Sequence, residues 1–211
     1  MIMNQVIVIP ARMKGRRLPG KPLKTIVGKT ILWHVWNRCC EVHPVDKIFV
    51  ATEDDIINEY CLKNGINCVI TGKALTAIER IKLFSDIIDA DSYINVQGDE
   101  PLANPKDIKT ILSYNKKFPD RVVFGKTKSD KRDFLNSSKA KVVCDLDNKL
   151  LYSSRAGIPI NNKGEYVSAE RAIWIYAFYK NALEKYYEYK KGTPLELIED
   201  NEIIRFLEKI P

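Results

Sequence analysis

Across the first hundred residues, short apolar runs alternate with amphipathic stretches, and this alternation confines the chain to an α/β architecture. Apolar runs at 5–9, 47–52, 67–70 and 92–96 have the length and β-branched content of buried strands. Between them, 30–40 and 55–64 carry helical periodicity, the second ending at Gly65, and Thr76 with Glu79 forms a capping-box pair opening a helix to Ile88. Strands separated by helices pair in parallel, so the expectation is a mostly parallel sheet with helices on both faces. At 211 residues the chain fits one domain.

The segments leaving the strand ends carry the chemistry. After the first run, a loop broken by Pro10, Gly15, Pro19 and Gly20 presents Arg12, Lys14, Arg16, Arg17 and Lys21. Arginine forks, lysine charges and free backbone N–H groups near Gly15 and Gly20 suit a polyphosphate. A nucleoside triphosphate attacked at its α-phosphate needs several cations, and Arg12, Arg17 and Lys21 are the candidates; the alternative is a solvated basic loop. After the fourth run comes Gln97-Gly98-Asp99-Glu100-Pro101. Asp99 is thereby placed beyond a strand's carboxyl end, where ligands gather in open α/β sheets, as a candidate Mg²⁺ ligand or else a turn cap. Glu100 is expected to play a structural role.

The formal charge of +7 favours anionic partners. Lysines are spread along the chain without interleaved aromatic residues, which argues against nucleic acid. Five cysteines, Cys39, Cys40, Cys61, Cys68 and Cys144, lack zinc-site spacing and are expected to be reduced thiols of a cytoplasmic protein. No run approaches the length of a membrane span, and no signal peptide is evident.

In the second half, 141–144 and 149–152 are predicted to form a hairpin and 172–179 a buried strand. Thr193, Pro194 and Glu196 open a last helix whose apolar stripe would be Leu195, Ile198, Ile203, Phe206 and Leu207. Residues 129–139 are polar enough for a mobile loop. His34 is expected in the core or an interface and His43 in a loop. Tyr186, Tyr187 and Tyr189 are expected to pack a helix or a partner subunit.

Five motifs occur in order along nearly the whole chain: IPAR at 9–12, RLPGKPL at 17–23, NVQGDEP at 95–101, LYSSRAGIP at 151–159 and PLE at 194–196. Together they resemble the CMP-Kdo synthetases, the 3-deoxy-manno-octulosonate cytidylyltransferases, more closely than the acylneuraminate cytidylyltransferases. The resemblance implies a Rossmann-like, open, mostly parallel twisted sheet of the nucleotide-diphospho-sugar transferase type, with a small β-rich lobe for dimerisation and sugar binding. It implies Mg²⁺-dependent transfer of CMP from CTP to a 2-keto sugar acid, releasing pyrophosphate, for lipopolysaccharide or capsule synthesis by a cytoplasmic homodimer. Arg12, Arg17 and Lys21 would hold the triphosphate, Arg80 the nucleotide and Asp99 the metal. Gln97 and Arg155 would meet the sugar acid, and Glu196 would line or support its pocket.

The chain departs from the family pattern in several places. Thr71 to Leu75 reads TGKAL where the family has a His and a Gln, Ser153 replaces a Phe, Ala172 replaces a His, and Trp174 replaces a Gly. The family pattern also continues past the position of Pro211 into a segment bearing a second metal-binding Asp and a dimer-packing helix, so a weaker metal site is expected. These departures keep two alternatives open: a different acid or phosphate-bearing acceptor, or a catalytically silent nucleotide-binding subunit.

Overall fold

The computed structural model describes residues 3–15 and 18–209. The chain forms two compact units, one of Met1–Val123 with Trp174–Glu184, the other of Phe124–Ile173 with Lys185–Pro211.

The first unit contains β1 (Gln5–Pro10), the short pair β2 (Thr25–Ile26) and β3 (Lys29–Thr30), and α1 (Ile31–Cys40). It continues through β4 (Ile48–Thr52), α2 (Asp55–Lys63), β5 (Cys68–Ile70), α3 (Ala77–Ser85), β6 (Ser92–Val96) and α4 (Pro105–Lys117). β1 runs parallel between β4 and β6, with Ile7 opposite both Ile48 and Ile94. β5 lies parallel to β4 at the edge. Every residue of β1 is buried. Because successive side chains point to opposite sides, both sheet faces are covered there, as a near-continuous apolar strand requires. The polar exception, Gln5, donates to Leu112 O at 3.0 Å and to Asn115 Oδ1 at 2.6 Å on α4, so its amide is satisfied inside the core.

Local signals start the helices. Thr30 Oγ1 accepts from Trp33 N at 3.1 Å and Thr76 Oγ1 from Glu79 N at 3.1 Å. Glu79 Oε2 in turn accepts from Leu75 N at 2.6 Å, so the carboxylate also holds the residue before the cap. α1 buries Ile31, Leu32, Val35 and Cys39 against the sheet, and α3 buries Ile78, Ile81 and Phe84.

The second unit contains most of β7 (Val123–Ser129), then α5 (Lys131–Leu135), β8 (Lys141–Cys144) and β9 (Leu150–Ser154). The chain continues through β10 (Ala169–Tyr179), α6 (Lys180–Glu188), α7 (Pro194–Glu199) and α8 (Ile204–Lys209). β8 and β9 form the predicted antiparallel hairpin, with Asn148 at φ 62° in its turn. In the second unit Glu170 and Arg171 of β10 pair with β8; in the first, Ile175 to Tyr179 pair antiparallel with β6.

Two expectations fail in the second unit. Residues 129–139 are not all loop: Asp130 Oδ1 accepts from Asp133 N at 2.7 Å, capping α5, and Phe134 is buried. The last helix is two helices, because Asp200 adopts the left-handed conformation at φ 47° and stops α7. The apolar stripe divides accordingly. Leu195, Ile198 and Leu207 are exposed, and burial falls on Ile203, Ile204 and Phe206. Tyr186 packs against Phe206 with ring centroids 5.2 Å apart, in line with a helix-packing role for that aromatic cluster.

All five cysteines are free, and Cys39 and Cys61 are fully buried. Among the described residues, no helix is long and apolar enough to cross a membrane.

Candidate functional site

Parallel strands bring the segments after β1, β4, β5 and β6 to one edge of the first unit, and the nucleotide candidates of that unit among the described residues lie on them. The loop after β1 folds around the Met13 peptide. Met13 O accepts from Gly15 N at 3.0 Å and from Gly20 N at 2.8 Å, while Met13 N donates to Asp54 Oδ2 at 2.7 Å. Gly15 and Gly20 therefore do not offer free N–H groups to a ligand, contrary to the sequence expectation, because those donors close the loop on itself. Gly20 sits at φ 69°, a conformation its missing Cβ makes inexpensive.

This folding leaves the side chains to meet an anion. Arg12 and Lys14 are exposed. Arg12 Nη1 donates to Leu75 O at 3.3 Å, which places the guanidinium beside the segment after β5. Lys21 opens a single helical turn, Lys21–Leu23, and its Nζ lies 2.8 Å from Asp99 Oδ2. Arg17 lies outside the described residues.

Asp99 reaches this position through Gly98. A Cβ on Gly98 would stand 2.5 Å from Pro10 O, so only glycine lets the segment after β6 pass this close to the end of β1. The Asp99 side chain is 50% exposed. Its Oδ2 holds Lys21, and its other oxygen is open to solvent-side ligands. Gln97 is half-buried, and its carbonyl accepts from Glu100 N at 3.2 Å in the same turn.

Arg80 is 2% exposed and turned inward. Its Nη1 donates to Thr71 Oγ1 at 2.9 Å and Gly72 O at 3.0 Å, and its Nη2 pairs with Glu53 Oε2 at 3.2 Å. Glu53 Oε2 also accepts from Ala74 N at 3.3 Å. This pair, buried at Arg80 and partly exposed at Glu53, thus fixes the backbone from Thr71 to Ala74. Neither Glu53 nor Asp54 was a sequence candidate. Asp54 stands at the cap position of α2 yet makes no side-chain cap; its carboxylate reaches back to Met13 instead.

In the second unit, Arg155 follows β9. Its Nε and Nη2 donate to the carbonyls of Glu199 and Asp200 at 2.6–3.1 Å, at the negative end of α7, and its Nη1 donates to Ser137 O at 3.2 Å. Lys141 is fully buried, with Nζ donating to Asn136 O, Lys139 O and Arg155 O. Burial, followed by the charge of Arg155, lowers its pKa. Glu196 is 5% exposed, and its carboxylate takes Arg205 in a two-point pair at 2.6 and 2.7 Å. Ala172 is buried in β10, and its N–H donates to Ala140 O at 2.9 Å.

A basic side chain and a carboxylate thus meet at the carboxyl edge of a parallel sheet, within a sequence whose residues 6–209 match the cytidylyltransferase pattern. The chain belongs to the cytidylyltransferase family. This cytidylyltransferase is 34% identical over 206 residues to a 3-deoxy-manno-octulosonate cytidylyltransferase of Koribacter versatilis, covering 96% of this chain and 78% of the relative. It is 33% identical over 213 residues to an 8-amino-3,8-dideoxy-manno-octulosonate cytidylyltransferase of Shewanella frigidimarina, covering 98% and 86%. Its fold matches a solved CMP:2-keto-3-deoxy-manno-octonic acid synthetase complexed with CTP at a TM-score of 0.90, with 32% identity over 97% of this chain and 86% of that one.

Proposed function

We propose that this cytidylyltransferase transfers CMP from CTP to a sugar acid of the 3-deoxy-manno-octulosonate type, the 8-amino analogue included, and releases pyrophosphate. The observation that carries this reading is the Lys21–Asp99 pair, 2.8 Å long and half-exposed, held at the strand-end edge by Gly98 in a chain of this family. The anomeric hydroxyl oxygen of the acceptor bonds to the α-phosphorus as the bond from that phosphorus to the bridging oxygen of the β-phosphate breaks. The hydroxyl proton leaves to water.

Arg12 and Lys21, with Arg17, hold the triphosphate and stabilise the charge gathering on the departing pyrophosphate. Arg80 acts from beneath, fixing the Thr71–Ala74 backbone that faces the nucleotide. Gln97 is the acceptor-acid residue of the first unit and Arg155 that of the second, each taken by itself. Glu196 supports that part of the protein through Arg205.

The residues present fit Mg²⁺. The ion commonly binds through one or two carboxylates plus substrate phosphates, and Asp99 offers one accessible hard oxygen donor. Among the described residues no cluster of three or more metal-ligating side chains forms, so phosphate and water would complete the shell. Bound there, the ion supplies a Lewis acid that offsets phosphate charge. A cytoplasmic homodimer completes the reading, supported by the family motifs.

Incubation with CTP, Mg²⁺ and each of the two sugar acids, followed by measurement of pyrophosphate, tests the proposal. Acceptor-dependent release supports it, and absence of release with both acids refutes it.

A further inference from the structure

Arg155 is held by more than its side chain. Its backbone N–H donates to Glu199 Oε2 at 2.9 Å, and its carbonyl accepts from the buried Lys141 ammonium at 2.8 Å. One carboxylate and one ammonium therefore grip the two ends of this residue. The other oxygen of Glu199 accepts from Ser154 Oγ at 2.7 Å and from Tyr152 OH at 3.2 Å, so the carboxylate spans the last residues of β9. Glu199 also ends α7, and the carbonyls of Glu199 and Asp200 take the Arg155 guanidinium. The left-handed Asp200 turns its carbonyl to that use.

A guanidinium carries five N–H donors. The Nε–H is shared by the two helix-end carbonyls, and Nη1 and Nη2 each spend one donor, on Ser137 O and Asp200 O. One N–H on each terminal nitrogen remains beyond these bonds, on a side chain that is 30% exposed, with the exposed Asp200 carboxylate 3.6 Å from Nη2. Donors on a rigid guanidinium plane suit a carboxylate. Their direction is set by the carbonyls that hold the inner edge, and those carbonyls are placed by Glu199.

We infer that Glu199 is a positioning residue that aims the free edge of Arg155 at the carboxylate of the acceptor acid, and so sets acceptor affinity without touching the nucleotide. This rests on the proposed role of Arg155. Lys141 serves the same end from the other side of the residue, as its ammonium ties the Arg155 carbonyl to the Asn136–Lys139 turn.

Steady-state kinetics on the full chain, with CTP and acceptor varied separately, test the inference. Glu199→Ala is expected to raise the acceptor KM about tenfold or more, with the CTP KM within about twofold and kcat within about threefold. Glu199→Gln is expected to restore the acceptor KM to within about threefold, because its amide oxygen can accept from Arg155 N while its NH₂ faces the Tyr152 and Ser154 hydroxyls. Loss of a purely structural group would not produce this split and rescue. Should Glu199→Ala fail to fold, Glu199→Asp, which keeps the charge but withdraws it by one methylene, is expected to raise the acceptor KM likewise. An unchanged acceptor KM in Glu199→Ala or Glu199→Asp, alongside a raised one in Arg155→Ala, overturns the inference and leaves the reading of Arg155 standing. An unchanged acceptor KM in Arg155→Ala overturns both.

Discussion

Replacing Glu196 by Ala tests whether this carboxylate serves the fold or the ligand. Glu196 and Arg205 are 5% and 4% exposed and meet through two N–H···O bonds of 2.6 and 2.7 Å. Glu196 Oε2 also accepts from Thr193 N at 3.1 Å, and the guanidinium stacks 3.7 Å from the Tyr186 ring centre. Removing the acid leaves a buried cation facing the Tyr186 ring, Tyr186 O at 3.2 Å and the charge of Glu202, without its two-point partner. Breaking a buried pair from one side costs about 3–5 kcal/mol. At about 2–4 °C per kcal/mol for a chain of this size, the melting temperature of Glu196→Ala should fall by about 6–20 °C. Replacing both partners with apolar residues, Glu196→Leu with Arg205→Met, should recover most of that loss, since the desolvation cost disappears with the charges. Scanning calorimetry measures the first quantity, and kinetics well below the transition measure acceptor KM, which should stay within about twofold. A variant that melts within about 2 °C of wild type while its acceptor KM rises tenfold would refute this reasoning and return Glu196 to the ligand.

Two further outcomes are expected, one from the structure and one from the proposed homodimer. Burial pushes the Glu199 carboxyl up, but hydrogen bonds from Ser154, Arg155 N–H and Tyr152, with the Arg155 charge, outweigh it and hold the group below its ordinary value of 4.5. Its contribution to stability is then whole above about pH 4.5 and is lost as pH falls through the lower folded value. The melting-temperature gap between wild type and Glu199→Gln should stay level from neutral pH to about pH 5 and shrink below it; a gap that widens on acidification contradicts the assignment. In solution, light scattering should report twice the 24.2 kDa chain mass, and a monomer mass would remove the proposed homodimer.

Much of the first unit was legible because its strands are buried on both faces. An unbroken VIVI or YINV run admits few alternatives, and residues 92–96 were placed without error. α4 went unassigned, although Asn104 caps it, Pro105 opens it, and Ile108, Ile111 and Leu112 mark its buried face. Its many lysines dilute that signal. α5 spans only Lys131–Leu135, too short to show a period. The break at Asp200 had no glycine to announce it.

In the site, Asp99 could be picked out because it closely follows the buried strand β6, and Lys21 because it lies in the Gly- and Pro-broken basic loop that leaves β1. Glu53, Asp54, Lys141 and Glu199 could not. Asp54 meets Met13 across 41 residues and Glu199 meets Arg155 across 44, contacts set by tertiary packing and by no local spacing. Arg80 is a nucleotide candidate only through the family resemblance, and burial turns its charge to Glu53 and the Thr71–Gly72 backbone.

In the proposed reaction Lys21 and Asp99, paired at 2.8 Å, form the triphosphate and cation site. The most direct measurement is acceptor-dependent pyrophosphate release by wild type, Lys21→Ala and Asp99→Asn at saturating CTP. Loss of one preorganised charge-stabilising group predicts a fall of about a hundredfold or more in each variant. Wild-type rates in either variant would contradict the account.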